Sequence, residues 1–392
     1  MKTLVVDQAS NENLDGLIQR HPSVTSFFLR PGTYHLTEQL VIDRENISLQ
    51  GLGSASDVHI VQDTPGANGI VITASQVTLH HVSVHAEVGS GIAVTHADVN
   101  FVQIEHCHFY GSEEYFAVYL AGKTHNGGAD TLAAFASGDL DHNNTFDNNI
   151  VYSKWSGDAV SFSLQRFGSL RNNIVRGGKV AVYMTQDCIV GNNRIYDSTS
   201  HGIICSMPSL RLRLTHNHIA RSTASGIALK PQVEHGEHQP QADSQVIVDN
   251  NTVDGGEYIG IELENSNGVE IRENHVRHVQ TTGIYVLRSA NVSAHHNHIV
   301  GCDRAVFIDV ETSGCVFENN EMFSLYPNVS QNAFLIEATS LSTRVANNTT
   351  HGPYLSDVIK DVDPDNSLSQ IVDNVHDAHI DHHEEVLLWI TQ

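Results

Sequence analysis

The sequence predicts an all-β chain folded as a right-handed parallel β-helix, a solenoid built from short strands. Two observations indicate this fold. A pattern of the form V-x-I-x-x-N-x-V returns about every 23 residues, and a second β-type pattern lies between its copies. A chain of 392 residues is long enough for one extended repeat array. We therefore expect a single β-helix domain over residues 1–392.

The first pattern aligns on an asparagine. The central copies include SLRNNIV, CIVGNNRI, VIVDNNTV and CVFENNEM. We expect the aligned asparagine to be a stacked turn residue, since asparagine tolerates left-handed backbone and its amide can bond the next coil. The aligned residues are Asn173, Asn193, Asn217, Asn251, Asn274, Asn297 and Asn320, and Asn149 and Asn348 extend the series at both ends.

The second pattern has a small residue followed by alternating apolar residues, as in SGIALK, IGIELE and TGIYVL. Alternation with a period of two, together with glycine-bearing turns, is typical of strands. Stacked coils of this kind bury a continuous core, with pairs such as Ile227 and Leu229 or Ile261 and Leu263 pointing inward. A leucine-rich repeat shares L-x-L-x-x-N, but its second half requires a helix and leucines. Here that half is β-branched and contains glycine.

Four segments depart from the regular repeat. Residues 8–22 are expected to form a short N-terminal capping helix over the first coil, and residues 350–392 a C-terminal cap or tail. The segments 123–142 and 231–244 each follow a strand of the second pattern. We expect these two insertions to flank one groove, because long excursions from a regular scaffold usually serve function.

Composition excludes several classes of partner. The formal charge of −24 disfavours nucleic acid and anionic membranes, and no apolar run is long enough to span a bilayer. Five scattered cysteines without a C-x-x-C motif indicate reduced structural thiols. The N-terminus is a poor secretory signal, so we expect a cytoplasmic protein, or a secreted one whose leader was trimmed. A homodimer or homotrimer is left open.

The opening of the chain resembles the pectate-lyase superfamily of right-handed parallel β-helix proteins. The run PGTYHL begins at Pro31, and LQGLG spans Leu49 to Gly53. With the repeats, the resemblance covers roughly residues 25–350. It implies a carbohydrate-active protein whose poly- or oligosaccharide substrate lies across the outward side of one parallel sheet. The superfamily includes lyases, epimerases, glycosidases, fructan-converting enzymes and adhesins, so the resemblance by itself does not select an activity.

Outward positions of the second pattern supply the candidate site. Lysine, arginine, histidine, tyrosine and paired carboxylates within a few adjacent coils have the chemistry for proton transfer on a sugar. The expected catalytic residues are Lys230, Arg288, His201 and Tyr183. The expected substrate-binding residues are Arg166, Gln165, Tyr285, Asp309 and Gln232. Carboxylates beside Lys230 are expected to favour its charged form.

Glu262 and Glu264 form the pair E-x-E, and G-I-Y-V-L-R ends at Arg288 one coil later. This arrangement is similar to the calcium-dependent β-helix lyases that act on chondroitin and alginate. The resemblance implies that Glu262 and Glu264 hold Ca²⁺, that Arg288 assists, and that Gln232 supplies an amide. The family's lysine after the second glutamate is absent, so Lys230 would have to replace it.

Three hypotheses follow. The first is a uronate-acting lyase or C5 epimerase, with Lys230, His201 or Tyr183 as the base and Ca²⁺ as the expected cofactor. The second is a glycosidase or transglycosylase, such as a fructan-converting enzyme, that uses carboxylates among Glu262, Glu264, Asp309 and Asp187. The third is a non-catalytic glycan-binding solenoid. The net charge favours the second hypothesis, and the basic residues beside the glutamates favour the first.

Overall fold

The computed structural model describes residues 2–7, 14–87, 89–94, 98–111, 116–122, 129–154, 157–230, 245–325, 330–364 and 368–378. Within these ranges the chain winds as a parallel β-helix. Each coil contributes one strand to each of three long sheets, and neighbouring strands in a sheet come from consecutive coils. The three sheets contain 15, 13 and 14 strands among the described residues. The prediction of a parallel β-helix is confirmed.

The strands of the first sheet precede the asparagine turn. They are Thr3–Val6, Ser26–Leu29, Ser48–Gly51, Thr78–His80, Gln103–Glu105, Thr145–Asp147, Ser169–Arg171, Ile189–Gly191, Arg213–Thr215, Ile247–Asp249, Glu270–Arg272, Ser293–His295, Val316–Glu318, Arg344–Ala346 and Gln370–Val372.

The strands of the second sheet carry the second sequence pattern. They are Leu40–Ile42, Ile70–Ile72, Ile92–Val94, Val118–Ala121, Asp158–Ser163, Lys179–Tyr183, Ile203–Cys205, Ile227–Leu229, Ile259–Glu264, Thr282–Leu287, Arg304–Ile308, Asn332–Ile336 and Ile359–Asp361.

The strands of the third sheet follow the asparagine turn. They are Gly32–Leu36, Val58–Gln62, Ser83–Ala86, His108–Tyr110, Ile150–Tyr152, Ile174–Arg176, Arg194–Tyr196, His218–Ala220, Thr252–Asp254, His275–Arg277, His298–Val300, Glu321–Phe323, Thr349–His351 and Val375–Asp377. A two-stranded sheet pairs Asp141–His142 with Gln165–Arg166.

Helices are few among the described residues. Of the predicted cap 8–22, residues 8–13 lie outside the described residues. In the remainder, the helix Leu17–Arg20 buries Leu17 and Ile18 and lies against the strand Leu40–Ile42, as expected for a cap. The helix Ala129–Ser137 lies in the first insertion, and a 3₁₀ turn spans Ala55–Asp57. None of the described helices is long and apolar enough to cross a membrane. The regular coils contain no helix where they are described, which excludes the leucine-rich repeat.

The core is a single stack of inward side chains. Ile227, Leu229, Ile261 and Leu263 are fully buried, as the alternation predicted. The five cysteines are also buried, as expected of structural thiols. The coils continue beyond residue 350, because strands of all three sheets lie between there and Asp377. The part of the predicted C-terminal cap that the structure describes is therefore a further coil.

The recurring asparagine forms a buried ladder. In one typical step, Asn193 Oδ1 accepts hydrogen bonds from the backbone N–H and the Nδ2 of Asn173, at 3.0 and 2.9 Å. The prediction that the amide bonds the next coil is confirmed. The left-handed conformation, however, belongs to the preceding residue, such as Asn172 (φ 57°) or Asn192 (φ 55°). The preceding residue makes the turn, and this leaves the ladder asparagine free to point inward.

Candidate functional site

The outward side of the second sheet, from Asp158 to Asp309, contains most of the predicted site residues, and we call it the groove face. One outward row runs Ala181, Ile204, Ala228, Glu262 and Tyr285, in register from coil to coil. Its first three members are small or apolar and almost fully buried. Since an outward residue is buried only when neighbouring side chains lean over it, longer side chains must flank this row.

Glu262 and Glu264 are held by two cations. Lys230 Nζ lies 2.7 Å from Glu262 Oε1 and 3.4 Å from Glu264 Oε2. An Arg288 terminal nitrogen donates to Glu264 Oε1 at 2.5 Å, and Ser225 Oγ donates to Glu262 Oε2 at 2.5 Å. Glu262 is 4% exposed, so its charge is almost completely removed from water and is balanced within the protein.

Lys230 is a protonated residue in this setting. Burial alone would lower the pKa of its ammonium group, but the hydrogen bond to Glu262 and the charges of Glu262 and Glu264 outweigh burial, so the pKa is raised. The sequence-based expectation of a charged Lys230 agrees with this geometry. A lysine held in this way neutralises negative charge and is a poor proton acceptor at neutral pH.

His201 lies one coil before Ser225, and its pKa is lowered where that of Lys230 is raised. Burial lowers the pKa of its imidazole to about 4, while Glu262 raises it and Lys230 and Lys179 lower it. Its Nδ1 lies 3.2 Å from Ser200 Oγ. The imidazole is therefore neutral at pH 7, with an unprotonated ring nitrogen that is a weaker base than that of a free histidine.

Tyr183 belongs to a second polar group on the groove face. Its hydroxyl donates to Asp158 Oδ2 at 3.2 Å, and Lys179 Nζ lies 3.2 Å from Asp158 Oδ1. Burial and the negative charge of Asp158 raise the pKa of Tyr183 well above its usual value. Tyr183 is therefore a neutral phenol near pH 7 and does not provide a base.

Tyr285 and Asp309 form a third group, two and three coils from Lys230. The Tyr285 hydroxyl donates to Asp309 Oδ2 at 2.5 Å. Burial and this hydrogen bond raise the pKa of Tyr285, so the phenol keeps its proton. The Phe307 ring lies beside it, with the two ring centroids 5.3 Å apart. Tyr285 therefore brings an aromatic surface and a fixed hydroxyl to the groove face.

Two predicted residues, Gln165 and Arg166, are not on the groove face. Gln165 is fully buried, where its Oε1 accepts from Asn144 Nδ2 at 2.8 Å and its Nε2 donates to the Ser163 carbonyl. Arg166 lies around the corner, beside Asp187. Gln232 lies outside the described residues, as does the whole insertion 231–244. Chain order placed Gln165 and Arg166 next to the strand, but a turn at Leu164 (φ 55°) sends them away from the groove.

The described part of the insertion 123–142 covers the corner next to the groove. Ala134 and Phe135 of the helix Ala129–Ser137 pack against a small apolar cluster that includes Leu164 and Met184. Gln186 Nε2 donates to the Phe135 carbonyl at 2.5 Å, which fixes the end of the helix. The first insertion therefore supplies one wall beside the groove face.

Sequence reasoning missed Ser225 and Lys179. Ser225 orients Glu262, and the only signal in the sequence was its position before Gly226, at the start of a second-sheet strand. Lys179 is the first residue of its own strand, in the same column as Gly226, and it pairs with Asp158. The apolar alternation identifies outward positions only after it has begun. It therefore gives no information on the residues at the start of each strand, such as Ser225 and Lys179.

The residues around Glu262 and Glu264 do not fit a bound calcium ion. The Lys230 ammonium contacts both carboxylates and so occupies the position that a bridging cation would need. Calcium takes six to eight oxygen ligands. Within the described ranges, no group of three or more histidine, cysteine, aspartate or glutamate residues is arranged to hold a metal ion.

Comparison with known proteins agrees with this architecture. Residues 134–235 and 239–322 match the family model described as "Right handed beta helix region". This match agrees with the observed coils, and the resemblance stated from the sequence is confirmed as a right-handed parallel β-helix fold. No curated protein sequence matches the chain.

Several solved structures are similar to it. Pre-mature gene product 12 of bacteriophage phi29 aligns with a TM-score of 0.65 at 12% identity, over 86% of this chain and 50% of that one. The A-module of mannuronan C-5 epimerase AlgE6 from Azotobacter vinelandii aligns with a TM-score of 0.54 at 14% identity, over 95% of this chain and 96% of that one. The catalytic unit of a GH87 α-1,3-glucanase from Streptomyces thermodiastaticus aligns with a TM-score of 0.60 at 14% identity, over 96% of this chain and 69% of that one. This chain spans half the length of the phage protein, and identities this low show the fold alone.

Proposed function

We propose that this protein is a carbohydrate-active enzyme that abstracts the C5 proton of a uronate-containing glycan, as a polysaccharide lyase or a C5 epimerase. One observation carries the proposal. A neutral imidazole, His201, lies on the same outward face as two fixed cations, Lys230 and Arg288. The similar structures include a mannuronan C-5 epimerase, which is compatible with such chemistry on this fold.

The two cations would bind the uronate carboxylate. Lys230 has three N–H donors and directs two of them at Glu262 and Glu264. Arg288 donates to Glu264 through one terminal nitrogen, and its side chain is 35% exposed. Donors therefore remain for a substrate carboxylate. Neutralising that carboxylate lowers the barrier to forming the carbanion at C5.

Among the three bases considered from sequence, only His201 is deprotonated near neutral pH. Lys230 is held as an ammonium ion and Tyr183 as a phenol. His201 would take the C5 proton, leaving the electron pair delocalised into the neutralised carboxylate. In a lyase that pair forms the C4–C5 double bond, the C4–O4 bond breaks, and O4 takes up a proton. In an epimerase a proton returns to C5 from the opposite face.

Glycoside hydrolysis is the second candidate, and the acidic groups on the groove face favour it. Glu264 is partly exposed, Asp309 lies two coils away, and one similar structure is a glucanase. A carboxylate pair can cleave a glycosidic bond by inversion when room for water lies between the two groups. Product chromatography after incubation with neutral fructans and glucans would detect this activity as saturated oligosaccharides.

The test is proton exchange at C5. Alginate, pectate, chondroitin and dermatan are incubated with the protein in D₂O and examined by NMR, with ultraviolet absorbance recorded in parallel. We expect deuterium at C5, with a rise in absorbance if the reaction is elimination. His201→Gln should lower the rate at least about 100-fold, the lower range for a general base. The exposed His35→Gln is the matched control and should keep the wild-type rate.

Either of two results would contradict the proposal: no deuterium incorporation with any acidic glycan, or full activity in His201→Gln. A chelator arm tests the calcium prediction separately. Because Lys230 lies where the ion would bind, we expect chelator to leave the rate unchanged. A chelator-sensitive rate would require Lys230 to withdraw from Glu262 and Glu264 when the metal binds.

A further inference from the structure

The corner between the second and first sheets carries two exposed phenylalanines in an unusual backbone conformation. Phe101 is 47% exposed and Phe167 is 52% exposed. Their φ angles are 60° and 53°, in the left-handed region that bulky residues rarely adopt. Other coils place Asn143 or Gly268 in the same column, and these residues accept this conformation readily. The conformation recurs in this column at Asp187, Arg211 and Leu368, so it belongs to the corner itself, and the exposure of the two rings is what indicates a role at the surface.

The spacing of the two rings follows from the strand register. Gln103 pairs with Thr145 and Thr145 with Ser169, so Phe101 and Phe167 lie two coils apart in one column. Neighbouring strands are separated by about 4.8 Å, which places the two positions roughly 10 Å apart along the solenoid axis. This separation is close to the length of a disaccharide unit in an extended glycan. Two rings at this spacing can therefore contact two alternate sugars of one chain.

Planar polar groups surround the rings. The Arg166 guanidinium lies 4.5 Å from the Phe167 ring centroid, and its Nε is 3.5 Å from Asp187 Oδ2. Arg211 Nε donates to Asp187 Oδ1 at 2.5 Å. This hydrogen bond lowers the pKa of Asp187 and keeps it ionised. Two arginines therefore share one carboxylate at this end of the corner.

The corner is separate from the groove face. Leu164 and Met184 lie between them along the chain, since they follow Ser163 and Tyr183 and precede Gln165 and Thr185. The helix Ala129–Ser137 covers these two apolar residues. A ligand on the corner is therefore outside the groove that contains His201 and Lys230.

The His142 imidazole lies edge-on to the Phe101 ring, with the two ring centroids 5.1 Å apart. We propose that Phe101, His142, Arg166, Phe167, Asp187 and Arg211 form a second glycan-binding site, which holds an acidic oligosaccharide chain parallel to the solenoid axis. The C–H face of a pyranose contacts the electron-rich face of an aromatic ring, and an arginine binds a carboxylate through paired N–H donors. The acidic nature of the sugar rests on the proposed function. The binding of a sugar chain to the two rings does not.

Affinity electrophoresis through gels containing alginate, pectate or neutral dextran tests the site. The double variant Phe101→Asn, Phe167→Asn removes both rings and keeps a residue suited to positive φ. Leu368→Asn is the matched control, because Leu368 lies in the same column with φ 53° and is 70% exposed. We expect alginate or pectate to retard the wild-type protein, and the double variant to bind about tenfold more weakly, as two lost aromatic contacts imply. Leu368→Asn should bind as wild type does.

Three results would overturn the site: equal retardation of the double variant and wild type, retardation only by dextran, or loss of a wild-type dimer in the double variant by light scattering. The last would make the corner a protein interface. C5 exchange on short oligosaccharides separates this proposal from the proposed function. If C5 exchange is observed but the double variant binds the gel glycan as tightly as the wild type, the corner site alone is refuted. If the double variant loses gel binding but the wild type exchanges no C5 proton on any uronate, the catalytic proposal alone is refuted.

Discussion

At the scale of single residues, the groove face shows how neighbours set the protonation state of otherwise ordinary side chains. Lys230 and His201 are close enough to share the influence of Glu262, yet they respond in opposite ways. Lys230 bonds directly to the carboxylates and remains charged, whereas burial dominates for His201 and keeps it neutral. Contact with a carboxylate, rather than proximity to one, decides which group carries a proton.

His201 makes a prediction about stability and pH. Its pKa is about 4 in the folded protein, against 6.5 for an unperturbed histidine, so the unfolded chain binds the proton more tightly. As the pH falls from 6.5 towards 4, protonation increasingly favours the unfolded state, and folded-state stability is lost. Between about pH 7 and pH 4.5 this loss is on the order of 2 kcal/mol.

Urea unfolding at these two pH values, compared between wild type and His201→Gln, measures the effect. We expect the variant to lose less stability on acidification than the wild type does. His35→Gln is again the control, since His35 is exposed beside Asp63. An identical pH dependence in wild type and His201→Gln would show that burial does not hold the imidazole neutral.

At the scale of elements, a column of glycines sets how closely the second and third sheets approach. Gly202, Gly226, Gly260 and Gly283 precede the inward residue of successive second-sheet strands. A Cβ on Gly260 would lie 2.3 Å from Val276 Cγ1 and 2.6 Å from the Gly283 carbonyl oxygen. The small residue of the sequence pattern is therefore a packing requirement, and it sets the position of the groove strands that follow.

Gly260→Ala should destabilise the protein by about 1–3 kcal/mol, the usual cost of overpacking. The matched control is Gly256→Ala, whose added Cβ would meet Val279 Cγ1 at 3.5 Å, an ordinary contact. Urea unfolding of both variants checks the prediction. If the two alanine variants were equally stable, the close approach at Gly260 would not be a constraint.

At the scale of the whole molecule, the asparagine ladder links many coils by one repeated bond. It begins at Cys107, whose backbone N–H donates to Asn149, and ends where Asn374 accepts from Asn348. In a solenoid each coil contacts only its neighbours, so stability is a sum of local interfaces. The ladder contributes the same kind of buried, fully paired contact at each of these interfaces.

Asn193→Ala should cost at least about 3 kcal/mol, because it leaves buried donors of Asn173 and the Leu170 carbonyl without partners. Asn192→Gly is the control: it changes the adjacent exposed residue and keeps positive φ accessible. Chemical unfolding of the two variants compares a buried amide with an exposed one. A small loss in Asn193→Ala would mean that water replaces the missing amide.

The sequence alone determined the parallel β-helix, its capping helix, the inward residues and the bond between ladder asparagines. These features follow from short-range periodicity, and each coil repeats the same local solution. It also identified Lys230, Glu262, Glu264 and Arg288 as neighbours, because adjacent coils place equivalent positions side by side. Periodicity could not place Gln165 or Arg166, since a single left-handed turn at Leu164 redirects the chain.

Only the tertiary structure decided what the side chains do. In the structure the Lys230 ammonium lies between two glutamates, and burial keeps His201 neutral. The residue before each ladder asparagine, rather than the asparagine itself, adopts the left-handed conformation. It also brought Phe101 and Phe167 into one column, although 66 positions of chain separate them. Burial and distances between coils control these properties, and both depend on atoms that are remote in sequence.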